Sequence, residues 1–183
     1  MTDLPAGDNG PVTFGVVQRP AKFHAGILDA VAQVLLNCPD STVQFQYGAG
    51  ELDLEDSAPR RHICRMLASR GVRESRIRFR GPLGRNENLE FFATADIVLD
   101  TFPYNGQTTT CECLWMGVPV VTLAGRHHVA RVGLTILSRI GLPDLVAYNT
   151  QEYVRTAAAL AKSQEPGARG REPQVSRTTG GPD

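Results

Sequence analysis

Apolar residues along this chain recur in two alternating rhythms. From Val12 onward, short runs rich in β-branched and aromatic residues are followed by longer stretches whose apolar positions return every three or four residues. VTFGVV (12–17) precedes FHAGILDAVAQVLLNC (23–38), in which Ile27, Leu28, Val31, Val34 and Leu35 fall at helical spacing. VQFQY (43–47) precedes PRRHICRMLASRG (59–71), and RIRFRG (76–81) precedes ENLEFFATA (87–95). IVLD (97–100) leads into a threonine run and its helix, VVTLAG (120–125) into a helix ending near Ile140, and LVAY (145–148) into QEYVRTAAALAK. Six strand-then-helix units in succession predict an α/β fold. Parallel strands need right-handed crossovers, so the pattern reads as a doubly wound, mostly parallel, Rossmann-like sheet covered on both faces.

The rhythm sets the domain boundaries. Residues 1–10 read as a flexible N-terminus and 11–162 as the folded domain. Residues 163–183, rich in Gly, Pro, Arg and Ser and without periodicity, read as a disordered tail. A chain of 183 residues suffices for a core without staples.

In doubly wound sheets, ligands bind outside the carboxyl ends of the strands, where the strand order reverses. In the order 3-2-1-4-5-6, strands one and four flank that point, which directs attention to GVVQRPAKF (15–23) and DTFPYNGQTTT (100–110). The first loop carries two cations, Arg19 and Lys22, and no GxGxxG fingerprint, which argues against a nicotinamide oxidoreductase and for another phosphate ligand. The second ends in Thr108, Thr109 and Thr110 at the start of a helix, where backbone N–H groups lack intrahelical partners. Either one threonine caps the helix, or hydroxyls and free N–H groups together hold an anion. Glu112, on the first turn, either complements the helix dipole or accepts hydrogen bonds from ribose hydroxyls. Trp115 and Met116 read as core, and Gly117 and Pro119 as the stop before the next strand.

Charge and composition narrow the partners. Formal net charge is zero, which gives no field for nucleic acid or an anionic membrane. No segment reaches the roughly 18 uninterrupted apolar residues of a membrane span. Cys38, Cys64, Cys111 and Cys113 show neither CxxC spacing nor the density of a disulfide scaffold, which fits a reducing, cytoplasmic setting. His127 and His128 are adjacent and lack a third ligand at suitable spacing, so no metal site is expected, and His24 and His62 read as lone helix-surface residues. No Ser or Cys sits on a nucleophile elbow.

FPYNGQTTTCECLWMGVPVVTLAG resembles the C-terminal catalytic half of the O-linked N-acetylglucosamine transferase and Spindly-type glycosyltransferase family, particularly its bacterial members. FGVVQRPAKF, GPLGRNENLEFFATADIVLD, HVARVG and GLPDLVA carry the same resemblance across roughly residues 11 to 162. It implies the nucleotide-sugar-binding, C-terminal Rossmann-like domain of a GT-B enzyme. By the resemblance, Lys22 is the catalytic lysine that contacts the diphosphate and stabilises the leaving group. Thr108 and Thr109 match phosphate-binding threonines, and Glu112 the ribose-binding acid. Arg85 takes the place of a basic residue near the nucleoside, and Arg19 a polar position near the phosphates. Asn88 stands where many members have a histidine beside the base, Gln107 where the animal enzymes have another, and Gln18 replaces a commoner asparagine. Tyr104 and Asn105 sit where the family varies near the sugar.

The activity so implied is inverting transfer from a UDP-sugar, UDP-GlcNAc above all, to a protein Ser or Thr hydroxyl, with no metal or cofactor. The acceptor would be held by an N-terminal half that this chain lacks. The chain is therefore expected to be a truncated or split glycosyltransferase, inactive alone. The alternative is a nucleotide-sugar-binding module without turnover.

Overall fold

The computed structural model describes residues 10–46, 57–80, 92 and 94–164. Six parallel strands form the sheet: β1 (Thr13–Val17), β2 (Thr42–Gln46), β3 (Ile77–Arg80), β4 (Ile97–Leu99), β5 (Val120–Leu123) and β6 (Val146–Ala147). Their order is β3-β2-β1-β4-β5-β6, the predicted one, with the reversal between β1 and β4. Phe14 pairs with Ile97 across that junction, and Val98 with Val120 across the next. The helices are α1 (Ala25–Asn37), α2 (Ala58–Ala68), α3 (Thr108–Trp115), α4 (Val132–Arg139) and α5 (Thr150–Gln164).

Strand periodicity builds two apolar layers. On β4, Ile97 and Leu99 point to the face packed by α1, α2 and α5, while Val98 points to the face packed by α3 with Cys113, Val118 and Val120. The first layer is the larger, centred on Phe14, Phe45, Ile27, Leu28, Val31, Leu35, Ile63 and Tyr153. Each helical stripe predicted for α1 is buried, because Ile27, Leu28, Val31, Val34 and Leu35 recur on one side.

The starts of α1, α2 and α5 are capped by local polar groups. Ser57 Oγ accepts the N–H of Arg60 at the start of α2. Asn149 and Glu152 exchange bonds at the start of α5: Glu152 N–H donates to Asn149 Oδ1 at 2.9 Å, and Asn149 Nδ2 donates back to Glu152 Oε1 at 2.6 Å. Gly117, at φ +80°, ends α3 as expected, with its N–H and that of Val118 returning to Leu114 and Cys113 carbonyls.

Four expectations change. Trp115 is 87% exposed rather than core. On the short α3 the inward positions are Thr110 and Cys113, and a residue two places further on points roughly to the opposite side. Met116, at the end of that helix, is partly buried against the second layer. His24 is exposed but not lone: it is the N-cap of α1, its Nδ1 accepts the Gly26 N–H, and its Nε2 donates to the Phe102 carbonyl at 2.6 Å. His127 and His128 open a short 3-10 turn, His128–Ala130, with α4 beginning only at Val132. The final helix runs on to Gln164, two residues past the predicted end. The expectations for 1–9 and 165–183, and most of the helix at 87–95, lie outside the described residues.

Candidate functional site

The two loops singled out at the switch point meet. After β1 the chain turns through a 3-10 segment, Pro20–Lys22, which carries Lys22 three residues before α1 begins. Lys22 Nζ donates to Gln18 Oε1 at 2.6 Å within its own loop and to the Asn105 carbonyl at 3.4 Å in the loop after β4. It also lies 4.1 Å from the centroid of the Tyr104 ring, a cation–π contact. Burial lowers the pKa of Lys22, and the charge of Asp100 acts in the opposite direction.

The loop after β4 is organised from within. Asp100, 2% exposed, accepts the Gly106 N–H on Oδ1 and the Thr122 hydroxyl on Oδ2, both at 2.7 Å. Burial raises its pKa to about 7 against the pull of those two donors and of Lys22. Asn105, 1% exposed, donates from Nδ2 to the Thr101 and Leu123 carbonyls. Gly106 has no room for a side chain: a Cβ there would stand 2.5 Å from Gln18 Nε2 and 3.2 Å from Thr110 Oγ1. The Phe102–Pro103 peptide is cis.

The threonine run divides by direction. Thr110 is buried and its hydroxyl donates to the Gly106 carbonyl at 3.0 Å, an inward bond that ties the first turn of α3 to the loop. Thr108 is exposed and Thr109 half-buried, and both line a cleft of about 410 Å³ with Lys22, Gly106, Gln107 and His128. No threonine is the N-cap. That position belongs to Gln107, whose side chain makes no capping bond, so among the described residues the first-turn N–H groups have no N-cap acceptor. A helix start left open in this way, beside a half-buried lysine, is suited to an anion.

A second cleft of about 700 Å³ adjoins the first and shares Gln18, Lys22, Tyr104 and Thr109 with it. Its walls add Arg19, Gln46, Phe92 and Glu112. The structure thus brings together Arg19, Lys22, Gln107, Thr108, Thr109 and Glu112, six of the eight residues singled out from sequence as a site. Arg85 and Asn88 lie outside the described residues. Among the described residues, no group of three His, Cys, Asp or Glu side chains is placed to hold a metal ion, and no helix is long and apolar enough to cross a membrane.

Asp100 and Gly106 were not expected as site builders, Gln18 was noted only as a departure, and Asn105 was expected near the sugar, whereas it is 1% exposed and bonded within the loop. The available signal was an Asp at the carboxyl end of a buried strand, followed by Asn-Gly before a helix.

The fold and crevice define a Rossmann-like domain of the GT-B glycosyltransferase kind, with a loop-borne lysine facing an uncapped helix start at the topological switch point. The model of glycosyl transferase family 41 matches residues 25–172, and the chain belongs to that family. It is 37% identical over 158 residues to the probable UDP-N-acetylglucosamine–peptide N-acetylglucosaminyltransferase SPINDLY of Arabidopsis thaliana, covering 86% of this chain and 17% of that protein. It is 34% identical over 142 residues to the UDP-N-acetylglucosamine–peptide N-acetylglucosaminyltransferase of Caenorhabditis elegans, covering 76% of this chain and 12% of that protein. Among solved structures, a mutant of the O-GlcNAc transferase of Thermobaculum terrenum superposes with a TM-score of 0.78 at 34% identity, over 85% of this chain and 29% of that one. The chain therefore spans about a sixth of the length of the Arabidopsis relative.

Proposed function

We propose that this chain is the donor-binding half of a protein O-glycosyltransferase and binds a UDP-sugar, UDP-GlcNAc in the first instance. The observation that carries the reading is the meeting of Lys22 with the uncapped start of α3 in one crevice. In this reading the diphosphate lies between Lys22 and the N–H groups and hydroxyls of Thr108 and Thr109. Glu112 accepts from the ribose, Arg19 adds charge at the rim, and Gln107 lies beside the sugar-bearing phosphate. Arg85 and Asn88 would complete the nucleoside side. The names of the Arabidopsis and Caenorhabditis relatives, both UDP-N-acetylglucosamine–peptide transferases, support the choice of donor.

Transfer would proceed by attack of a protein Ser or Thr hydroxyl oxygen on the anomeric carbon with inversion. The bond from that carbon to the diphosphate breaks, its electron pair goes to the leaving oxygen, and the hydroxyl proton passes to a base on the acceptor side. Charge grows on the leaving phosphate. Lys22 and the α3 donors meet that charge preorganised, so they stabilise the transition state more than the ground state. The acceptor side and its base would come from an N-terminal half.

Titration calorimetry with UDP-GlcNAc, UDP, GDP and NAD tests the reading. Binding of UDP and UDP-GlcNAc without NAD is expected, and tight NAD binding with no response to UDP or GDP overturns it. A radiolabelled-donor assay separates enzyme from binding module. Negligible peptide transfer by the chain alone is expected, because holding the acceptor hydroxyl near the anomeric carbon supplies roughly 7–11 kcal/mol of the barrier reduction. Transfer that appears when an N-terminal half is supplied supports the enzyme; its continued absence supports a module without turnover.

A further inference from the structure

Resting on the donor reading above, we propose that Asp100 is the positioning residue of the diphosphate site, anchoring the Gly106 turn from below and setting the charge that Lys22 presents to the phosphates. Asp100 closes β4, and its carboxylate is buried where strand, loop and helix converge. Oδ1 takes the Gly106 N–H, and the Gly106 carbonyl in turn takes the Thr110 hydroxyl, so one carboxylate oxygen orients the residue that leads into α3. Oδ2 takes the Thr122 hydroxyl from β5, and the Asp100 carbonyl takes the Tyr153 hydroxyl from α5 at 2.8 Å. The residue is thus fixed from three sides, its carboxylate by the Gly106 turn and β5 and its backbone carbonyl by α5, and it lines neither cleft. It acts through Gly106 and through its field on Lys22.

The groups that face this carboxylate can be named element by element. Lys22 approaches from the loop after β1 and draws its pKa down, while Arg19 lies close enough to influence Lys22 in turn. From α3, Cys113 has its pKa raised by burial first and by Asp100 next, with Glu112 adding to the same direction. From α5, Tyr153 is raised by burial and then by Asp100. Cys113 and Tyr153 therefore stay protonated near neutrality, and Asp100 is the buried group among them poised to titrate there, at about 7.

A bound diphosphate places negative charge beside Lys22, which favours the protonated carboxyl. Binding then takes up a proton, and affinity rises as pH falls through neutrality. UDP-GlcNAc is the right probe, because its bridged phosphates have no proton to gain in that range. Calorimetry on the full chain should show affinity tightening roughly three- to tenfold between about pH 8 and about pH 6, the ratio set by a shift of about half to one pKa unit on binding. Heats in buffers of different ionisation enthalpy should report the proton taken up.

D100N keeps an acceptor for Gly106 and offers its amide to Thr122, so it should bind at least as well as the wild type at low pH, with a flat profile. D100A leaves Gly106 unanchored and should bind roughly tenfold more weakly at every pH. T122V removes one donor to the carboxylate without touching Asp100, which favours the neutral form and should move the profile to higher pH. Circular dichroism and thermal melts report folding for each variant, and if D100A fails to fold, D100N and T122V decide. An unchanged pH profile in D100N overturns the proposal. Wild-type affinity in D100A, or an unmoved midpoint in T122V, overturns it as well. Failure of the wild type to bind UDP-GlcNAc at any pH removes the donor reading itself and this inference with it.

Discussion

The loop leaving β1 and the loop leaving β4 reach the same crevice by opposite constructions. The first is short, turns through a single 3-10 segment, and brings charge on side chains that stay exposed or half-buried, Arg19 and Lys22. The second is longer and brings almost no charge to the surface, but its Asp100, Thr101, Asn105 and Gly106 are buried and bonded to the loop itself and to β5. Where the two touch, at Lys22 with the Asn105 carbonyl and at His24 with the Phe102 carbonyl, the second loop positions the first. A side-chain cation next to a row of backbone donors divides the work of anion binding: the cation supplies attraction, and the fixed donors supply geometry without reorganisation.

If the second loop is held by a buried carboxylate, stability should carry its signature. The folded pKa of Asp100 is about 7 against an ordinary value of 3.8. Its contribution is therefore favourable to folding below the ordinary value and is lost as pH rises through the folded value. The loss amounts to about 4 kcal/mol by linkage. D100N escapes it, so urea melts should show D100N gaining on the wild type by up to that amount between about pH 4 and about pH 8. A difference independent of pH would show that the loop does not depend on a titrating carboxylate.

The charge of the first loop is tested next. Lys22→Ala should weaken UDP binding by roughly 1.5–3 kcal/mol if it makes a charge-assisted bond to the diphosphate, with stability little changed. Unaltered affinity in calorimetry would leave the second loop as the whole anion site.

The close fit between the loops is a smaller and mixed effect. Gly106→Ala puts a Cβ 2.5 Å from Gln18 Nε2, which must move and take its bond to Lys22 with it. Overpacking of this kind costs about 1–3 kcal/mol, and since the atom approached is the far end of a side chain rather than backbone, the low end is expected in thermal melts. Loss of UDP affinity should exceed the loss of stability. The reverse would mean that Gly106 serves packing alone.

Arg19→Ala should do least. Its side chain is exposed, so its attraction to a diphosphate is screened and should fall below about 1 kcal/mol, vanishing as salt is raised. A salt-independent loss in calorimetry would place Arg19 in direct contact with the phosphates.

Apolar rhythm along the chain was enough for the order of the described elements, the parallel sheet and the reversal between β1 and β4, because burial on one stripe or one strand face leaves a periodic mark that needs no distant partner to be read. The helix-start position of Thr108 and Thr109 and the meeting of two loops followed from that same order. Other features depended on contacts between residues far apart in sequence. Trp115 looked like core because it is large and apolar, yet only the length and rotation of α3 decide that Thr110 and Cys113 take the inward places. His24 looked solitary until Phe102, 78 residues away, supplied its partner. Asp100 looked like the end of a strand, and the burial that raises its pKa comes with packing from the whole chain: Thr122 of β5 bonds its carboxylate from 22 residues away and Tyr153 of α5 its carbonyl from 53. Local pattern determines which elements form, since each residue there answers to neighbours one turn away. The desolvation and hydrogen bonding that make a polar residue functional are properties of the enclosure, and the enclosure is assembled from the whole chain.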